Sequence, residues 1–302
     1  MHRILYLAFI FALSSAIFFS SCKKDPLLID NHIDTTIIGN NPPPYNGISE
    51  LQIKLYINKL YVDLIGRQPS AQELNDQFAF LKTNNLSISS RGIIVDGLLS
   101  NSDFYNRLFD LTSADMTNGI DTVDINDEVT QFHYFILYDS INGYTQNLPY
   151  YYAELLRFNK LNTCVNDLMN NSITLREFYR IFMDNYFYDQ VNMGSENFVK
   201  GSFDDLYLRA PTTSELQYAG SMVDGASTTL FDQSGTSKGD YELIMVNSPE
   251  FTEGFIRKCY RQYLLRNPAS GEMGLETLAL NGGLDWKTMI KNLLSTDEYA
   301  GF

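Results

Sequence analysis

Three histidines, three cysteines and 36 carboxylates are what this 302-residue chain has for building a reactive or metal-binding centre. His2 lies at the basic start, His32 in a stretch that runs into prolines, and His133 in Phe132-His133-Tyr134-Phe135. No two stand a few residues apart, as a local histidine metal site requires. Cys164 or Cys259 with His133 could form a thiol centre, but no local signature supports one. Neither a G-x-S-x-G elbow nor a P-loop occurs. The densest acidic stretch is Asp121-Thr122-Val123-Asp124-Ile125-Asn126-Asp127-Glu128. Its alternation resembles the start of a calcium loop. It lacks the central Gly and closing Glu of an EF-hand, so it reads as a solvated loop or helix start. No residue is assigned a catalytic or metal-ligating role, and no cofactor is expected.

The repeated polar residues are a different matter. Ile57–Leu74, Val199–Leu216 and Ile256–Met273 match in register as [I/V]-x-x-x-[Y/F]-x-x-x-x-x-R-x-P-x-x-x-E-[L/M]. Arg67, Arg209 and Arg266 are therefore equivalent, as are Pro69, Pro211 and Pro268, and Glu73, Glu215 and Glu272. Each Arg could contact a ligand or tie a helix corner to a carboxylate and helix-end carbonyls. Three equivalent copies favour the corner, because one binding site rarely needs three. All nine residues are read as structural.

The helical period supplies the elements that position them. Leu51, Leu55, Asn58 and Val62 follow helical spacing, and Ile53, Ile57, Leu60, Tyr61, Leu64 and Ile65 broaden the apolar face. The helix should stop near Gly66-Arg67, since Pro69 disfavours helix at Gln68. Ser70-x-x-Glu73 and Thr212-x-x-Glu215 are capping boxes, whereas Ala269 in the third copy cannot cap. Arg91–Leu99 has helical spacing. Ser100-Asn101-Ser102-Asp103-Phe104, Asn247-Ser248-Pro249-Glu250-Phe251 and Ser295-Thr296-Asp297-Glu298-Tyr299 each open a closing helix. A partial copy spans Asn170–Tyr188, with Thr174–Met183 as its penultimate helix and Asp184–Tyr188 as its closing motif. Strand alternation never extends beyond a few residues. The expected fold is all-α, built of tandem helical modules with R-x-P turns behind a flexible N-terminal tether. The expected divisions are a signal peptide at 1–21, tether at 22–48, helical unit 1 at 49–110, and an aromatic-rich insertion plus partial unit at 111–192. Units 2 and 3 follow at 193–254 and 255–302.

Phe132–Phe158 stands apart. It holds nine aromatic residues in 27, against 14% for the whole chain. Tyrosine suits surfaces that are apolar on one side and wet on the other. Asn142-Gly143 and Pro149 bracket Tyr144–Leu148 as a surface connection. Tyr150-Tyr151-Tyr152 then starts a helix, where successive residues point about 100° apart, so at least one ring must face solvent. Tyr144, Tyr150, Tyr151 and Tyr152 are the candidate partner-binding residues.

Met1-His2-Arg3, the apolar run Ile4–Phe19 and Ser20-Ser21-Cys22 form a secretory leader. Phe19-Ser20-Ser21-Cys22 resembles a lipobox, which implies lipidation at Cys22. Cys22-Lys23-Lys24-Asp25 is similar to the start of many lipoproteins of the Bacteroidetes group. Asn40-Asn41-Pro42-Pro43-Pro44 suits a spacer that lifts a folded part off a membrane. A net charge of -14 argues against nucleic acid and against anionic lipid surfaces.

Tyr61-Val62-Asp63-Leu64-Ile65-Gly66-Arg67-Gln68-Pro69-Ser70, closing with Leu98-Leu99-Ser100-Asn101-Ser102-Asp103-Phe104, resembles two related bacterial modules. One is the helical domain of unknown function similar to phycobilisome linkers, with copies reading Y-x-x-x-L-G-R-x-P and ending in S-x-E-[YF]. The other is the planctomycete cytochrome-associated domain reading D-L-x-G-x-x-P-[ST]-x-x-E. The resemblance implies a helical module of surface-associated proteins. Leu208 and Leu265 depart from it where Gly66 conforms, and C-x-x-C-H, the mark of the accompanying haem, is absent.

Together these features suggest a lipid-anchored, non-catalytic binding or scaffold protein of the outer membrane, on its periplasmic or cell-surface face. Its partners would be the membrane, through the lipid on Cys22, and an envelope protein or glycan. The alternative is a polysaccharide-acting enzyme, or a glycan-binding protein, using an Asp/Glu pair and exposed Tyr. Replacing Cys22 by Ala should abolish metabolic acyl labelling and release the protein from the membrane fraction; unchanged labelling would end the lipoprotein reading.

Overall fold

A computed structural model describes Gly47–Phe302; the leader, Cys22 and all but the last two residues of the expected tether lie outside these residues. The described chain is all-α. The first repeat comprises α1 (Glu50–Ile65), α2 (Ala71–Thr83), α3 (Ile88–Leu99) and its closing helix α4 (Ser102–Met116). Two long helices follow, α5 (Thr122–Asn142) and α6 (Leu148–Met169), then α7 (Leu175–Met183) and α8 (Tyr186–Val191). The second repeat is α9 (Ser195–Tyr207), α10 (Thr213–Val223), α11 (Lys238–Asn247) and α12 (Pro249–Cys259). The last elements are α13 (Ser270–Asn281), α14 (Trp286–Leu294) and α15 (Asp297–Ala300).

Local chemistry sets most of these boundaries. Ser49 and Gln52 form a capping box at the start of α1, and Gly66 ends it in the left-handed region at φ 72°. Ser70 with Glu73, and Thr212 with Glu215, cap α2 and α10 reciprocally. Ala269 gives α13 no side-chain cap; only the Glu272 carboxylate remains there, accepting from the Ala269 N–H at 2.6 Å. Thr174 and Asn185 cap α7 and α8, the partial copy.

Three features differ from the sequence reading. Leu51, Leu55 and Val62 face solvent, while Ile53, Tyr56, Ile57, Leu60, Tyr61 and Leu64 are buried. Both stripes of α1 keep helical period, and packing against α2, α3 and α4 selects the one carrying Tyr56 and Leu60. The expected boundaries at 110/111 and 254/255 fall inside α4 and α12. The second arises because α12 closes one repeat and opens the next, continuing through a π-helical turn at Tyr260–Leu264. A small antiparallel ribbon joins α10 to α11, with β1 (Thr228–Leu230) paired to β2 (Gln233–Gly235). Its two-residue turn, Phe231-Asp232, holds positive φ at both positions, as a tight hairpin requires, without the Asn or Gly that would announce it.

The repeats pack as matched partners. α3 lies against α14, and α7 against α11, which are the penultimate helices of their copies. The closing Tyr299 donates its hydroxyl to Asp63 at 2.8 Å, and the closing Tyr188 donates to Asp205 at 2.7 Å. Asp63 and Asp205 are themselves equivalent, four residues before Arg67 and Arg209. Burial raises the pKa of both, that of Asp205 to about 6. Tyr56 to the Leu294 carbonyl and Arg91 to Asp297 at 2.6 Å further bind the C-terminal helices to α1 and α3. Gly254 lets α12 cross the end of α9, since a Cβ there would stand 1.9 Å from the Leu206 carbonyl oxygen.

The three helix ends before the R-x-P turns share one conformation. Gly66, Leu208 and Leu265 hold φ of 72°, 57° and 56°. A branched residue there carries roughly 1–2 kcal/mol of steric strain. Leu265 offsets none of it by burial, being 86% exposed. Leu265→Gly should therefore raise the urea midpoint, through an unfolding free energy larger by about 1 kcal/mol after the added flexibility of the unfolded chain. Leu265→Ala, which keeps the strain, should not; equal midpoints for the two variants would refute this account.

Candidate functional site

Two of the three Arg corners are closed internally. Arg209 donates from Nε and Nη2 to Glu250, from Nη1 and Nη2 to Glu215, and from Nη1 to the Ala210 carbonyl. Arg266 repeats this with Glu298, Glu272 and the Asn267 carbonyl. All five guanidinium N–H groups of each are used. Arg67 pairs with Glu73 and the Gln68 carbonyl, and approaches Asp103 at 3.8 Å. The second acidic partners Asp103, Glu250 and Glu298 all directly precede the closing aromatic. Each Arg also stands over an aromatic ring of its own first helix, Tyr61, Phe203 or Tyr260. Pro69, Pro211 and Pro268 hold the extended turn between. Glu73, Glu215 and Glu272 are each pulled down to about 2 by the facing guanidinium. Arg209 and Arg266 have no N–H left to hold a ligand, whereas Arg67 spends only three of its five on its corner.

The aromatic stretch is different. Asp121 accepts from the N–H groups of Val123 and Asp124, and Asp124 accepts from that of Asp121. The acidic stretch is thus the capped start of α5. One face of α5 buries Ile125 and Phe132, with Phe135 half-buried beside them. Phe132 meets Tyr151, Phe158 and Tyr186 edge to face at 5.3–5.9 Å. On the other side Tyr134, Leu137, Tyr138 and Ile141 are 50–74% exposed, a stripe at i, i+3, i+4 and i+7. Gly143 ends α5 at φ 79°, and a single 3₁₀ turn leads into α6 with Pro149 in its first turn.

Three of the four candidate tyrosines are open: Tyr144, Tyr150 and Tyr152 are each about half exposed. Tyr151 instead packs on Phe132 and Phe135 and belongs to the interior of the hairpin. In total, eight exposed large apolar side chains fall between 134 and 156, including Leu156 on α6. The stripe on α5 escaped sequence reading because its inner neighbours are equally aromatic.

Charge chemistry concentrates elsewhere, in a partly buried cluster with no sequence signature. Glu154 and Arg157 from α6, Glu177 and Arg180 from α7, Asp184 beyond it, and Lys238 and Glu242 from α11 meet there. Glu242 is 1% exposed, and neither carboxylate oxygen has a hydrogen-bond partner. Arg180 and Lys238 approach it only to 3.8 Å. Burial pushes its pKa up to about 8. Cys164 and Cys259 are buried free thiols, and burial raises both pKa values, that of Cys164 to about 12. Thiols so disposed are poor nucleophiles. Among the described residues, no three His, Cys, Asp or Glu side chains form a group fit to hold a metal, and no helix is long and apolar enough to cross a membrane.

Comparison with protein-family models, with curated proteins and with solved structures returns no match to this chain.

These shifts fix the sign of the pH dependence. The corner carboxylates, depressed to about 2, add stability above their ordinary range near 4.5 and lose it as pH falls from there. Asp205 and Glu242, raised to about 6 and about 8, do the reverse: the folded state binds their protons more tightly, so stability falls as pH rises from about 4 to 8. Stability should peak near pH 5. Glu242→Gln, which keeps the shape without the ionisation, should remove a few kcal/mol of the decline between pH 5 and 8. Parallel pH profiles for parent and variant in urea melts would contradict this.

Proposed function

We propose that this chain is a lipid-anchored binding or scaffold protein of the cell envelope, non-catalytic, that engages a partner protein through the α5–α6 hairpin. The observation that carries the reading is the solvent-facing stripe Tyr134, Leu137, Tyr138 and Ile141 on a helix whose opposite face is already buried. A two-faced apolar helix costs solubility unless its outer face is covered, and contiguous exposed patches mark interaction sites. Tyr144, Tyr150, Tyr152 and Leu156 extend the exposed apolar surface along the hairpin. Tyrosine anchors of this kind carry much of the affinity in protein interfaces. A protein partner fits better than a glycan, because Leu137 and Ile141 alternate with the rings and offer a sugar no flat face. The lipid on Cys22 would confine the hairpin to the neighbourhood of the outer membrane.

The reading is tested by a photo-crosslinking residue at Leu137 in the intact protein, in its native envelope. A discrete adduct with one envelope protein is expected, lost when Tyr134 and Tyr138 are changed to Ser. That double variant should melt within about 0.5 kcal/mol of the parent, as surface changes usually do. An adduct pattern identical to that from a crosslinker at the exposed Asp224, or survival of the adduct in the double variant, would sink the proposal. A large loss of stability would return the stripe to ordinary core.

A further inference from the structure

A cleft of about 310 Å3 opens between α7, α12 and the junction of α13 with α14. That volume lies at the lower end of the range for small-molecule sites, roughly 300–1,000 Å3. Its wall is apolar, from Leu175, Phe251, Phe255, Leu280, Leu284 and Trp286. Arg176 on α7 is the one cation in it.

Arg176 is held unlike the corner arginines. Nη1 donates to the carbonyls of Val246 and Ser248 at the end of α11, and Nη2 donates to the Thr252 hydroxyl at 2.8 Å. The Phe251 ring lies 5.0 Å from the guanidinium. These fix the group in place while leaving N–H capacity on Nε and Nη2. No carboxylate among the described residues is within ion-pairing distance of it, in a protein that carries 36 of them. A positioned guanidinium without an anion, set into an apolar wall, matches a ligand with one carboxylate and an apolar body. Asp285, exposed at the rim, makes no capping bond to α14 and would repel a second negative charge.

We propose that this cleft binds a small amphiphilic monocarboxylate, its carboxylate on Arg176 and its apolar part against Trp286, Leu280 and Leu284. The same chemistry could come from a medium-chain fatty acid or from the C-terminus of a short apolar peptide.

Trp286 is the only tryptophan in the chain and lines the cleft, so its emission reports occupancy. Titration with octanoate should give a saturable change, confirmed by calorimetry, with 1-octanol and octylammonium binding at least about ten-fold more weakly. N-acetyl-Leu-Leu distinguishes the two sources: tighter binding than octanoate identifies a peptide terminus, weaker binding a fatty acid. Arg176→Gln should abolish the preference for octanoate over octanol. Because Arg176 also holds the end of α11, a second variant is needed. Leu284→Phe keeps the guanidinium and fills the cleft, and should weaken octanoate at least ten-fold at an unchanged melting temperature. Equal binding of octanoate and octanol, no saturable change, or parent-like octanoate binding by folded Leu284→Phe would overturn the proposal.

Discussion

A guanidinium has five N–H groups, and at two of the three corners all five are used within the corner itself. The rest of the fold depends on this arrangement. Each Arg joins the end of one helix to the capping Glu of the next and, through Asp103, Glu250 or Glu298, to the start of the closing helix. Three helix termini with otherwise unsatisfied backbone groups are thereby fixed at one point. The corners are partly solvent-exposed, with arginine side chains 32–44% accessible, so their electrostatic worth is modest in water. Their effect lies in direction: they set the angle at which the second helix leaves the first, and the apolar faces then meet.

The strain at these corners follows from the same geometry. The residue before each Arg must turn back in the left-handed region for the guanidinium to reach the following cap. Glycine does this freely at Gly66, while Leu208 and Leu265 do it under strain. At Leu208 partial burial offsets some of the cost. At Leu265 nothing does: it stays in the left-handed region, 86% exposed, directly after the π-helical turn.

How much could be read from the sequence divides along physical lines. Corners and caps were legible because they are local: Arg67 and Glu73 are six residues apart, and Ser70 and Glu73 three. The partial copy was legible for the same reason, through Thr174 and Asn185. Long-range pairings were not. Tyr299 and Asp63 are 236 residues apart, and nothing in either neighbourhood marks them as partners, although each sits at an equivalent place in its copy. The Glu242 cluster draws its charges from separate helices and has no spacing to detect. Helical period identified α1 but could not choose between its two apolar stripes, since the choice is made by the helices that cover one of them. Tyr151 illustrates the same limit on a smaller scale: three consecutive tyrosines cannot all point inward, but which one does depends on Phe132 and Phe135.

The repeat and the hairpin consequently bear differently on function. A corner present three times is accounted for by the folding of each copy, and the internal saturation of Arg209 and Arg266 leaves them no further role. The hairpin occurs once, outside the repeated pattern, and its exposed stripe has no folding role to account for it. Exposed leucines on α1 and α13 show that apolar exposure alone is common in this protein. What separates α5 is the combination of two stacked tyrosines, Tyr134 and Tyr138 at 6.2 Å, with aliphatic neighbours one turn further on, beside a turn carrying Tyr144. Aromatic rings lose little side-chain entropy on contact and bury large areas, so this segment would gain most from a partner. Packing of its inner face on Phe158 and Tyr186 holds that surface in shape before any partner arrives, which lowers the ordering cost of association.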